Sequence, residues 1–248
     1  MINHFIIMSD SYSEHVRIAL DICEEEKNTN YINNTILKIK EAFKGDAPFS
    51  IHSIYADSMD WSAVEKADPY FKNVKVIKNV NEFIEKIQKD RTLKGTDVAK
   101  YMLSKVSCSH LKLEKLCYLC YADYLCESGK QLFRDRIYAF KYGPVVDSVY
   151  KKYKKCGSLE INEDNEIIEK QEELRLPSES RILFAEDGVK KVFSINETLK
   201  KYGDLSASKL VKITHTKDSP WDKAYRKNNY DELLDKIIIE NHKNEKID

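Results

Sequence analysis

Apolar residues recur at Leu113, Leu116, Cys117, Cys120, Tyr121 and Tyr124, a spacing of i, i+3, i+4, i+7, i+8 and i+11. That spacing draws one continuous face of a helix. Tyr118, Leu119 and Leu125 widen the apolar zone, so this helix is expected to be central and buried on most sides. Gly129 suits its C-terminal turn. A second stripe, Val146, Val149, Tyr150 and Tyr153, predicts another helix that Gly143-Pro144 would open. Asp147 near its start, the lysines Lys151, Lys152, Lys154 and Lys155 near its end, and the following Gly157 all match the helix dipole. Upstream, Thr96 opens a helix with Val98, Met102, Leu103 and Val106 apolar. Downstream, helices are expected from about Glu186 to Tyr202, from Ser206 through Ile213, after Ser219-Pro220-Trp221-Asp222, and over residues 231–241.

The first 92 residues read differently, as a small α/β module. Residues 2–8 are a short apolar run that fits a strand. Residues 13–26 and 32–43 show helical stripes, the first through Val16, Leu20 and Cys23. Residues 49–55 and 74–77 suit strands, Asp60 suits a helix cap before Pro69, and residues 80–89 suit a helix. Residues 91–95 hold no apolar anchor and mark a boundary. The fold class is therefore α+β and α-dominant, with a helical domain over residues 96–248. Within it, residues 158–179 form an acidic insert, expected to be a solvated hairpin or a loop.

Composition narrows the classes. Of 248 residues, 42% are hydrophobic and 33% charged, as in globular chains. Forty-one basic side chains cancel forty-one acidic ones, so no global charge points to nucleic acid. No apolar run is long enough to span a bilayer and no signal peptide is visible, which points to the cytoplasm and to no membrane partner. In such a reducing compartment the six cysteines are expected as buried apolar residues rather than disulfides.

The candidate chemistry is sparse. Cys117 and Cys120 are spaced to share a helix face and a metal, but they sit inside an apolar stripe, so core packing is the expectation over zinc or redox chemistry. His215 stands near Asp218 and Trp221 with no evident nucleophile partner, and is expected to be a capping or hydrogen-bonding residue. The lysines at 151–155 read as a solvated helix end. His4, His15 and His52 form no ligand spacing. No phosphate loop, dinucleotide fingerprint, zinc-protease or nucleophile-elbow motif occurs. The expectation is no enzyme, no cofactor and no metal.

Three ordered blocks carry a family resemblance: Asp97 to Leu103 with Lys112 to Tyr118; Phe133 to Val146, ending in Tyr142-Gly143-Pro144-Val145; and Lys201-Tyr202-Gly203, Leu205-Ser206-Ala207, Leu210, Thr214-His215 and Pro220-Trp221. Over residues 96–226 the chain resembles the Panacea, or SocA-like, antitoxin domain, a phage-associated family once called GepA-like. The resemblance implies a mostly helical domain that neutralises a cognate toxin by direct binding in a toxin–antitoxin system of a prophage or mobile element. It carries over no catalytic residues. Tyr142, Gly143, Pro144, Val145, His215, Pro220 and Trp221 are its signature positions, with structural or interaction roles. It also implies as partners a toxin and a protease such as ClpXP, since one member acts as an adaptor; a homo-oligomer is compatible with the aromatic content. The alternatives are a protease adaptor, a phage inhibitor of a host system, or an N-terminal effector module controlled in cis, for which Ser9, Asp10 and Ser11 after the first strand are the candidate residues. Residues 1–92 and the acidic insert lie outside the shared pattern.

Overall fold

The computed structural model describes residues 1–23, 29–46, 48–161, 178–226 and 230–245. The chain divides into two compact units, Met1–Arg91 and Thr92–Asp248. An N-terminal sheet and a helix-rich C-terminal unit make the protein α+β and α-dominant.

In the first unit, β1 (Ile2–Ser11) and β2 (Val16–Cys23) form an antiparallel hairpin with Ser11 opposite Val16. Residues 13–26, expected to be helical, are thus mostly turn and strand, with Glu24, Glu25 and Glu26 outside the described residues. The reason is physical. Val16, Ile18 and Ile22 are β-branched, and the alternation from Val16 to Cys23 satisfies a strand as well as a helix. Pairing with β1 decides between the two. Helix α1 (Thr29–Ala42) follows, then the edge strand β3 (Ser50–Ala56), the helix α2 (Trp61–Ala67), β4 (Lys75–Ile77) and the helix α3 (Val80–Asp90). The strand order is β3-β1-β2-β4. In this sheet β2 and β4 pair in parallel and the other two pairs are antiparallel. One sheet face packs Ile6, Met8 and Ala19 against Val64, Phe71 and Val74. Asn79 caps α3 through its side chain, accepting from the Asn81 and Glu82 backbone. Asp60 stands at the cap position of α2 without making that bond. Ser9, Asp10 and Ser11 lie within β1 rather than beyond its end. Ser11 Oγ donates to Asp90 Oδ2 at 2.7 Å in a buried contact, and Ser9 Oγ donates to the Pro48 carbonyl.

The second unit is built around α5. It opens with α4 (Gly95–Leu103) and the short β5 (Cys108–Ser109), which pairs with β8 (Glu160–Ile161). Helix α5 (His110–Ser128) has Ser109 as its N-cap and Gly129 at φ 69° as its stop. Twelve of its nineteen residues are buried, including Glu114 and Lys115, so its polar side chains must find partners inside. A hairpin of β6 (Ile137–Phe140) and β7 (Gly143–Val146) then leads into α6 (Asp147–Tyr153). Helices α7 (Ser178–Leu183), α8 (Gly188–Tyr202), α9 (Ala207–Thr214), α10 (Pro220–Ala224) and α11 (Asp235–Asn241) complete it. Most of the insert, residues 162–177, lies outside the described residues.

The Gly143-Pro144 helix start is corrected: those residues are strand, and the helix opens at Asp147. Gly143 has φ 104°, which no helix start accommodates, and Pro144 pairs with Ala139 across the hairpin. The Ser206 and Ser219 caps form as the sequence predicts, each side chain accepting from the backbone N–H three residues on.

Candidate functional site: a clamped hairpin

Two signature blocks separated by some seventy residues meet at the tip of the β6–β7 hairpin. From below, α5 supplies two buried charged side chains at adjacent positions. Lys115 Nζ donates to the Pro144 carbonyl at 2.7 Å, and Glu114 Oε2 accepts from the Val146 N–H at 2.9 Å. Burial drives the Lys115 ammonium down to about 8, and it pushes the Glu114 carboxyl up. Gly143 makes this approach possible. A Cβ there would stand 2.8 Å from Lys115 Cε and 2.9 Å from Thr214 Oγ1. The glycine therefore serves two needs at once, a positive φ and room for the lysine.

From the other side, α9 and α10 hold the loop carbonyls. His215 is the C-cap of α9, with Nδ1 2.7 Å from the Val211 carbonyl and Nε2 3.3 Å from the Lys141 carbonyl. Both oxygens can only accept, so a neutral ring serves one of them at a time. Burial lowers the His215 pKa, against the pull of those two carbonyls. Trp221 Nε1 donates to the Phe140 carbonyl at 2.7 Å. Its ring packs on His215 with centroids 3.6 Å apart and stacks on Tyr225 at 4.6 Å. Pro220 is buried beneath, and Ser219 Oγ ties α10 back to the Thr214 carbonyl at 3.0 Å. Of the expected positions, Gly143, Pro144, Val145 and Pro220 are buried, and His215 and Trp221 are half-buried clamps. Tyr142 alone projects, 60% exposed at the hairpin tip.

The outer side of the hairpin is aromatic. Phe140 packs on Tyr230 with centroids 4.4 Å apart and on Tyr150 at 5.2 Å, and Tyr230 is 68% exposed. Lys141 lies over the Tyr142 ring, and Lys154 over Tyr150. Residues 231–233 run beside β6, with the Ala139 N–H donating to the Asp231 carbonyl and the Leu233 N–H to that of Ile137. Lys151, expected at a solvated helix end, pairs with Asp147 one turn back.

Cys117 and Cys120 are fully buried in the core, and burial pushes the Cys120 thiol up to about 12 and that of Cys117 well above its ordinary value. Protonated thiols there pack as small apolar groups. Sequence reading did not single out Glu114, Lys115 or His242. Nothing in a 3.6-residue stripe distinguishes a lysine that faces inward from one that rims the helix. His242, after α11, contacts Glu245 Oε2 at 2.6 Å and Asp123 Oδ1 at 2.8 Å. Burial opposes its charge, but hydrogen bonds to Asp123 and Glu245 prevail and hold the imidazole up at about 9. This triad ties the segment after α11 to α5.

The comparisons fit this geometry. Residues 113–222, which run from α5 to the Trp221 clamp, match the family described as "Antitoxin SocA-like, Panacea domain". That segment is similar to the SocA-like Panacea domain, and the N-terminal unit falls outside the match. The chain is also 28% identical over 141 residues to Antitoxin SocA of Caulobacter vibrioides (strain NA1000 / CB15N), covering 54% of this chain and 72% of that protein. No solved structure matches the chain. Among the described residues, no helix is long and apolar enough to cross a membrane.

Proposed function

We propose that this protein is an antitoxin that neutralises a cognate toxin by direct protein–protein binding, without bond chemistry of its own. The observation that carries the reading is the match of residues 113–222 to an antitoxin domain and to Antitoxin SocA. The hairpin surface supports it. Tyr142 and Tyr230 are exposed aromatic side chains on a rigid base, and Phe140, Tyr150 and Trp221 back them. Pre-positioned aromatics lose little entropy on docking and dominate interface energies. Flanking Lys141 and Lys154 suit a partner with acidic groups at the rim.

The test is co-expression with the product of the neighbouring reading frame. That product alone should arrest growth, and this protein should restore growth and co-purify with it. A harmless neighbour, or one that stays lethal with this protein present, refutes the reading. The toxin's half-life separates two ways of acting. Occlusion leaves it unchanged, whereas hand-over to a protease such as ClpXP shortens it.

A further inference from the structure

The strongest unassigned feature lies in the N-terminal unit. His4 on β1 stands opposite Cys23 on β2, and Asp21 sits two residues before Cys23 on the same sheet face. His4 is fully buried and Cys23 nearly so, while Asp21 is partly exposed. His4 Nδ1 lies 2.9 Å from Asp21 Oδ2 and 3.6 Å from Cys23 Sγ, and one ligand atom from each residue falls within 4.8 Å of the others.

The other ring nitrogen fixes the chemistry. His4 Nε2 lies 2.9 Å from the Ser58 carbonyl, which can only accept, so Nε2 carries a hydrogen. Nδ1 then faces the Asp21 carboxylate, which can only accept, and the Cys23 sulfur. Two lone pairs repel at 2.9 Å, so a cation, either a proton on Nδ1 or a metal ion, bridges that nitrogen to the carboxylate. A nucleophilic triad does not fit, because that arrangement puts the thiol and the carboxylate on opposite ring nitrogens. Here both face Nδ1. With bonds of about 2.0–2.3 Å, the ligand atoms of a tetrahedral zinc site stand roughly 3.3–3.6 Å apart. The histidine–sulfur gap meets that spacing, and the histidine–carboxylate gap falls a few tenths of an ångström short. The Ser58 carbonyl would be the outer partner that orients a metal-bound imidazole.

We propose that His4, Asp21 and Cys23 form a binding site for a divalent transition metal, zinc by donor type. A mixed nitrogen, oxygen and thiolate set suits that ion and disfavours magnesium or calcium. Three protein donors leave the fourth tetrahedral position to water or another atom. Binding displaces the Cys23 thiol proton to solvent, with no change of oxidation state.

The experiment uses the full chain, stripped with a chelator and titrated with Co2+ and then Zn2+. One equivalent of cobalt should bind, giving tetrahedral visible bands and a near-ultraviolet thiolate band that zinc abolishes. Cys23→Ser should erase the thiolate band. Asp21→Asn, at the partly exposed ligand, should weaken binding by at least about tenfold while leaving the circular dichroism unchanged. Zinc should also raise the melting temperature of the unsubstituted chain. Two results overturn the site. One is a folded chain that takes up no metal at micromolar concentration, which leaves a proton between His4 and Asp21. The other is uptake that persists unchanged in Asp21→Asn and in a folded Cys23→Ser, which places the metal on other cysteines. If Cys23→Ser does not fold, Asp21→Asn and the cobalt spectrum of the unsubstituted chain decide.

Discussion

Two buried polar clusters in this molecule look alike in composition and differ in where their atoms point. Around Lys115 and Glu114, the charged groups hold backbone: an ammonium the Pro144 carbonyl, and a carboxylate the Val146 N–H, with His110 at its other oxygen. Around His4, the donor atoms of three side chains face one another. A buried group that ends on backbone holds a chain segment in place. A set of side chains whose ligand atoms converge on one another is suited to hold a metal ion. On this comparison the signature positions around the hairpin build a scaffold, and the exposed Tyr142 is the residue the proposed docking would use.

The contrast can be broken in several ways, the largest effect first. Gly143→Ala should destabilise the helical unit by about 2–4 kcal/mol, combining a left-handed alanine with a clash against Lys115. Denaturant unfolding measures this, and a loss below about 0.5 kcal/mol, the usual size of a surface change, would show that the tip is not tightly clamped. The His242 triad comes next. Its folded pKa is raised to about 9, above the ordinary 6.5. Its contribution is therefore complete below the ordinary value and is lost as pH rises through 9. Stability should fall by on the order of 2 kcal/mol between those limits. His242→Asn should flatten that slope, and an unchanged slope in this variant would remove His242 as its source. Lys115→Met should cost about 1–2 kcal/mol, because the Pro144 carbonyl loses its donor while a costly buried ammonium is also removed. A stabilised variant would mean that the lysine is kept for another reason. Tyr142→Ala should change stability by less than about 0.5 kcal/mol yet weaken toxin capture at least tenfold. Capture at full strength would move the proposed docking surface away from the hairpin tip.

Much of the helical unit was legible in the sequence. The α5 stripe, its Gly129 stop, and the Ser206 and Ser219 caps are local rules, and each was satisfied locally. The errors fell where local rules allow two answers. The stretch from Val16 to Cys23 fits a helix stripe and a strand alternation, and only the partner strand β1 chooses. The Gly143-Pro144 pair fits a helix start by residue type, but its backbone is set by the lysine packed beneath it.

The sequence by itself determined the periodicity of the α5 helix, the Ser206 and Ser219 caps, the α-dominant class and the ordered signature that resembles an antitoxin domain. Those features follow from propensities acting over a few residues. The tertiary structure alone decided that His215 and Trp221 grip the hairpin that carries Tyr142-Gly143-Pro144-Val145, that Lys115 points inward, and that His4 meets Asp21 and Cys23. Such encounters depend on strand register and helix packing between residues far apart in the chain, and sequence spacing carries no record of them.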